Sequence, residues 1–103
     1  MFKLSFYVPE SHLEEVKSAL FGIGVGKIGH YDSCSWQTLG QGQFRPLAGS
    51  KPYLGQEGAV ETVTEFKVEM VCEDALINAA VNTLLATHPY EEPAYDLVKL
   101  VEL

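Results

Sequence analysis

The chain is predicted to be an α+β protein of four strands and two helices, built as two β-α-β halves in tandem. Three observations predict it. Phe2–Val8 and Phe66–Cys72 each alternate apolar and polar residues, the period of a half-buried strand. Each of these stretches is followed by apolar residues at helical spacing. The two halves also match at one constant offset: adding 64 places Phe2-Lys3-Leu4 on Phe66-Lys67-Val68, Leu20 on Leu84, and Tyr31-Asp32 on Tyr95-Asp96.

The first strand puts Phe2, Leu4, Phe6 and Val8 on one face and Lys3, Ser5 and Tyr7 on the other. Pro9 closes it and suits the first turn of a helix. Leu13, Val16 and Leu20 then mark the buried side of that helix, with Glu14, Glu15, Lys17 and Ser18 outside. Gly22 and Gly24 stop it, because glycine accepts the left-handed cap. A second strand is expected from about Lys27 to about Thr38, through Ile28, Tyr31, Cys34 and Trp36. Residues 39–59 hold five glycines and two prolines and are too long for a tight turn. They are expected to project as a β-arm or to fold back over a neighbour.

Phe66, Val68, Met70 and Cys72 form the inward side of the third strand. Glu73 and Asp74 open the second helix, where acids complement the dipole. That helix is expected over Ala75–Ala86. Only Asn78, Asn82 and Thr83 interrupt its apolar surface, so cover on more than one side is expected. His88-Pro89 ends it, and a last strand follows over about Ala94–Val101. The product is the ferredoxin-like β-α-β-β-α-β motif: a four-stranded antiparallel sheet with two helices on one face. The other face must meet solvent, the long loop or another subunit. All 103 residues are read as one domain.

Composition narrows the partners. The formal net charge is −7, and the seven Lys and Arg do not cluster. Such a surface repels phosphate backbones and anionic lipid, so neither nucleic acid nor membrane is expected as a partner. The N-terminus alternates instead of forming a signal-peptide apolar block. A cytoplasmic location is expected, with Cys34 and Cys72 as reduced thiols.

Four groups of residues could carry chemistry. Gly24-Val25-Gly26-Lys27-Ile28-Gly29 matches the dinucleotide fingerprint, but it follows a helix and opens a strand, so no helix N-terminus is there to receive a pyrophosphate. A helix-ending turn is the expected role. His88-Pro89-Tyr90-Glu91-Glu92-Pro93 is the densest cluster. Its His88, Glu91 and Glu92 could hold a divalent metal such as zinc, copper or nickel, or supply an acid or base. Equally, the two prolines could simply fix a connection in which His88 caps its helix. His30 and Cys34, four apart on an expected strand, could join His88 as metal ligands; the alternative is a small core thiol and an exposed strand end. Trp36, Phe44 and Tyr53 could anchor an interface or cover the open sheet face. His12 is expected to be a solvated surface residue. Nucleophile-elbow, C-x-x-C and P-loop patterns do not occur.

Three stretches resemble the domain inserted in many bacterial members of the Nif-three-like (NGG1-interacting-factor-three-like) family, and the short stand-alone proteins made of that domain. They are Gly24-x-Gly26-x-x-Gly29-x-Tyr31-x-x-Cys34-Ser35-Trp36; Gly40-x-Gly42-x-Phe44-x-Pro46, continued by Gly49, Pro52 and Gly55; and His88-Pro89-Tyr90-Glu91-Glu92-Pro93-Ala94-Tyr95-Asp96. The resemblance implies a PII-like and CutA-like domain. It also implies assembly as a trimer, favoured over a dimer, with sheets facing an axis. Residues 39–59 then sit where PII proteins carry their effector loop, but the PII nucleotide motifs are absent, so ATP binding does not carry over. Full-length members hold a two-metal site in a flanking core that this chain lacks, so their hydrolase-type activity does not carry over either. The expected function is a non-enzymatic, homo-oligomeric binding or regulatory module, with a possible protein partner. A divalent-metal protein using His88 with Glu91 or Glu92 is the alternative, and a metal-assisted hydrolase ranks last.

Overall fold

A computed structural model describes residues 1–103. Its elements run β1 (Phe2–Pro9), α1 (Glu10–Gly22), β2 (Trp36–Phe44), β3 (Glu61–Cys72), a short 3-10 turn (Asp74–Leu76), α2 (Ile77–Thr87) and β4 (Tyr95–Lys99). The sheet order is β2-β3-β1-β4 and every neighbouring pair is antiparallel. This is the ferredoxin-like α+β arrangement that the two tandem halves predict.

Alternation decides the faces. Leu4, Phe6 and Val8 of β1 and Val68, Met70 and Cys72 of β3 are buried against Leu13, Val16 and Leu20 of α1 and Ala80 and Leu84 of α2. Lys3, Tyr7, Lys67 and Glu69 stand on the opposite face, where no helix packs. There the Lys3 ammonium lies 2.9 Å from Glu69, and its hydrogen bond holds that carboxyl below its ordinary value.

Pro9 is both the last residue of β1 and the N-cap of α1. Gly24 (φ 100°) ends that helix in a Schellman-type cap. Its amide donates to the Phe21 carbonyl at 3.0 Å, and the Val25 amide donates to Leu20 at 3.1 Å. The Gly24–Gly29 segment is therefore a helix stop and a turn, as its position in the sequence predicts.

The second strand is the main correction. It begins at Trp36 instead of Lys27, and it continues through residues 39–44, which were expected to belong to the loop. The cause lies in residues 26–35. Gly26 (φ 81°), Gly29 (φ 58°) and Ser33 (φ 54°) take left-handed conformations that no pleated strand contains. The Cys34 amide folds back onto the Gly26 carbonyl at 2.9 Å. Tyr31-Asp32 is therefore not the structural counterpart of Tyr95-Asp96, and the duplication holds only through strand and helix. Leu39 to Phe44 instead pair with Glu61 to Phe66. The hairpin overhangs β1, which pairs only as far as Glu65. Only residues 45–60 form the loop.

The second helix also differs. Among its apolar residues only Ala80 and Leu84 are buried, and Leu85 is 45% exposed. Within one chain it is covered on one side, by α1 and the sheet.

A candidate ligand pocket at the end of the sheet

A cavity of about 530 Å³ opens where the hairpin overhangs. Its walls are Tyr7 at the end of β1, Gly42 and Phe44 at the end of β2, Glu65 of β3, Tyr53 of the loop and Tyr90 of the α2–β4 connection. The wall residues come from five separate parts of the chain, and three local features bring them together.

The first is His88. Pro89 disfavours helix for the residue before it, and His88 accordingly turns extended (φ −70°, ψ 138°) as the C-cap of α2. Its ring is 6% exposed. The Tyr90 amide donates to Nδ1 at 3.1 Å, so Nδ1 carries no proton. Nε2–H therefore donates to the Tyr7 carbonyl at 2.6 Å. One neutral imidazole thus ties the end of β1 to the start of the connection. Burial pushes its pKa down, against the raising effect of the Tyr7 carbonyl, and His12 lowers it further.

The second is the loop. Its Lys51 amide donates to Glu91 Oε1 at 3.1 Å, and the Gly58 amide donates to the Pro46 carbonyl at 2.8 Å. Tyr53 then meets Tyr90 at 6.2 Å between ring centroids and His12 edge-on at 5.7 Å, while Phe44 reaches Tyr90 at 6.3 Å. The loop folds back over its own chain.

The third is a pair of bare strand positions. Glu65 lies opposite Gly40 in the ladder, and its side chain crosses toward Gly42. A Cβ on Gly42 would collide with Glu65 Oε1. Glycine there leaves the groove in which the carboxylate lies.

Two polar groups in this cavity lack partners. Glu65 is 9% exposed, and its carboxylate takes part in none of the ion pairs of the chain. The Tyr90 hydroxyl is fully buried without a hydrogen bond. Glu65 lies near enough to act on that phenol without completing a bond of normal geometry. Burial first, then this carboxylate, raise the Tyr90 pKa above its ordinary range.

The metal ligands expected from sequence do not assemble. No three His, Cys, Asp or Glu side chains gather around one point. Both ring nitrogens of His88 are engaged in the fold, and Glu91 holds the Lys51 amide. Glu92 is exposed at the cavity rim. His30 lies apart, in a shallow polar depression with Lys27 and Asp32. The Cys34 thiol is directed at the Asp32 carbonyl, 3.5 Å away. The reason is the missing strand: without pleating over 30–34, His30 and Cys34 share no face. Cys72 is buried in the core, and that burial pushes its thiol pKa up.

The aromatic residues divide. Phe44 and Tyr53 are cavity walls, whereas Trp36 is 68% exposed on the helix-free face. His12 is half-buried beside Tyr53. Sequence reasoning missed Glu65 and Tyr7. The signal that could have found Glu65 is Gly42, since a glycine inside a strand marks a close approach.

The GTP cyclohydrolase 1 type 2 homolog of Halalkalibacterium halodurans is 41% identical over 100 residues, covering 97% of this chain and 27% of that protein. A solved Bacillus cereus protein related to NIF3 superposes with a TM-score of 0.84 at 35% identity, over 98% of this chain and 26% of that one. This chain is homologous to one domain of the Nif-three-like proteins. It spans about a quarter of the length of the curated relatives it matches. No family model matches it. The PII-like protein CutA of Nostoc shares the fold of this chain, with a TM-score of 0.70 at 17% identity over 97% of this chain and 81% of that one. No helix is long and apolar enough to cross a membrane.

Proposed function

We propose that this Nif-three-like domain is a non-catalytic binding or regulatory module. It works as a homo-oligomer, a trimer in preference to a dimer, and holds a small ligand in the cavity at the end of the sheet. The observation that carries the reading is the cavity itself. It is a concave site with four aromatic side chains, a buried tyrosine hydroxyl without a hydrogen bond and a carboxylate without an ion-pair partner, a composition that suits a small-molecule site. It is built from two of the three stretches on which the family resemblance rests, Gly40–Pro46 and His88–Asp96. The helix-free face supports self-association. It presents Trp36 to solvent, and β2 leaves one side of the sheet unpaired.

Light scattering after size exclusion tests the assembly. The expected result is three times the monomer mass at micromolar concentration. Trp36→Asp is expected to weaken association about tenfold or more, as loss of a buried aromatic anchor does. A chain that stays monomeric, and whose melting no small-molecule library shifts, overturns the reading.

A further inference from the structure

We propose that the cavity selects a small organic cation, an aryl-alkyl amine in chemical class, with its ammonium on Glu65 and its apolar part among Phe44, Tyr53 and Tyr90. This rests on the cavity being a ligand site, as proposed above, and adds the charge and shape of the ligand.

Three observations converge. A carboxylate withdrawn from water is strongly unfavourable unless a cation or several donors meet it. As a residue Glu65 is 9% exposed, it lines the cavity, and no Lys, Arg or His of the chain lies within ion-pair distance. The Tyr90 hydroxyl beside it is also without a hydrogen bond, so its oxygen is free to accept one from an N–H of the same ammonium. The fold maintains this arrangement specifically, because Gly42 is bare where any side chain would displace the carboxylate.

The surroundings favour a positive ligand over a neutral one. Glu91 and Glu92 also line the cavity, against one base, Arg45, on a chain of net charge −7. Tyrosine and phenylalanine faces attract a desolvated cation through their ring quadrupoles. The size suits a ligand of this class, since cavities of about 300–1,000 Å³ hold small molecules.

The test is titration of the intact chain by NMR with phenethylamine, its neutral isostere 2-phenylethanol, and the anion 3-phenylpropionate. The resonances of Gly42, Glu65 and Tyr90 are followed. Phenethylamine is expected to shift them and to bind about tenfold or more tightly than the alcohol. Glu65→Gln is expected to remove that preference, while alcohol binding stays within about twofold. Gly42→Ala, which displaces the carboxylate without removing it, is expected to give the same loss. The two variants together separate a charge effect from misfolding. Equal binding of amine and alcohol by the native chain, or unchanged preference in Glu65→Gln, overturns the cation and leaves the cavity as a ligand site. If none of the three probes moves these resonances, both readings fall. If Glu65→Gln instead dissociates the oligomer, the cation on Glu65 is a Lys or Arg of a second copy, and the proposal fails.

Discussion

Replacing His88 by alanine is expected to lower the unfolding free energy by about 2–5 kcal/mol. Two partners are left behind. The Tyr7 carbonyl and the Tyr90 amide each lose their bond to the ring, and a buried polar group left unpaired costs about 1–3 kcal/mol. The ring is 6% exposed, so water does not simply replace it. Urea unfolding of His88→Ala measures the loss, and a change under about 1 kcal/mol would show that the imidazole is not a tie.

The same residue sets a pH dependence with a definite sign. Burial holds the folded imidazole below its ordinary pKa of 6.5. The unfolded chain therefore takes up a proton first as pH falls. The contribution of His88 is complete above pH 6.5 and is lost as pH drops through the folded value. Melting temperature is expected to fall as pH drops below 6.5, and His88→Gln should flatten that part of the profile. Glu69 and Asp74 are also held low, by hydrogen bonds from Lys3 and Lys99 respectively, from ordinary values of 4.5 and 3.8. Their contributions are present above those values and disappear as pH falls further, in a separate and more acidic window.

Gly26→Ala is expected to cost about 2–4 kcal/mol, from a left-handed backbone and a collision together. The new Cβ would lie 2.7 Å from the Cys34 carbonyl oxygen and 3.0 Å from the Phe21 ring. The backbone cannot retreat, because the Gly26 amide is held by the Val71 carbonyl at 2.8 Å and its carbonyl receives the Cys34 amide. Gly29→Ala is the matched control. Gly29 also has positive φ, but nothing lies within 4 Å of its Cβ position. It is expected to cost only about 1 kcal/mol. Equal losses in the two variants, measured by urea unfolding, would remove the close approach as the cause.

These two sites show unequal legibility. Pro9, Leu13, Val16, Leu20 and Gly24 could be placed from sequence because strand, helix and cap each have a local period or a local conformational requirement. The same is true of Phe66 to Cys72 and of the stop at His88-Pro89. Residues 27–35 could not be placed so. Ile28, Tyr31, Cys34 and Trp36 suggest a strand, but Gly26, Gly29 and Ser33 coil the backbone before pairing begins. Gly40 and Gly42 looked like loop residues because glycine disfavours strands. They are tolerated within β2 because the ladder with β3 supplies the hydrogen bonds, and at Gly42 Glu65 occupies the space a side chain would need.

The order of residues determined the two β-α-β halves, the buried faces of β1, β3 and α1, and the turn nature of Gly24–Gly29. Those properties depend on neighbours within a few positions. Tertiary structure alone decided the site. It separated His30 and Cys34 from His88, turned both nitrogens of His88 toward the backbone, and brought Tyr7, Phe44, Tyr53, Glu65 and Tyr90 around one cavity. No local pattern encodes that meeting, because it depends on how far the hairpin overhangs the sheet and on where the loop folds back.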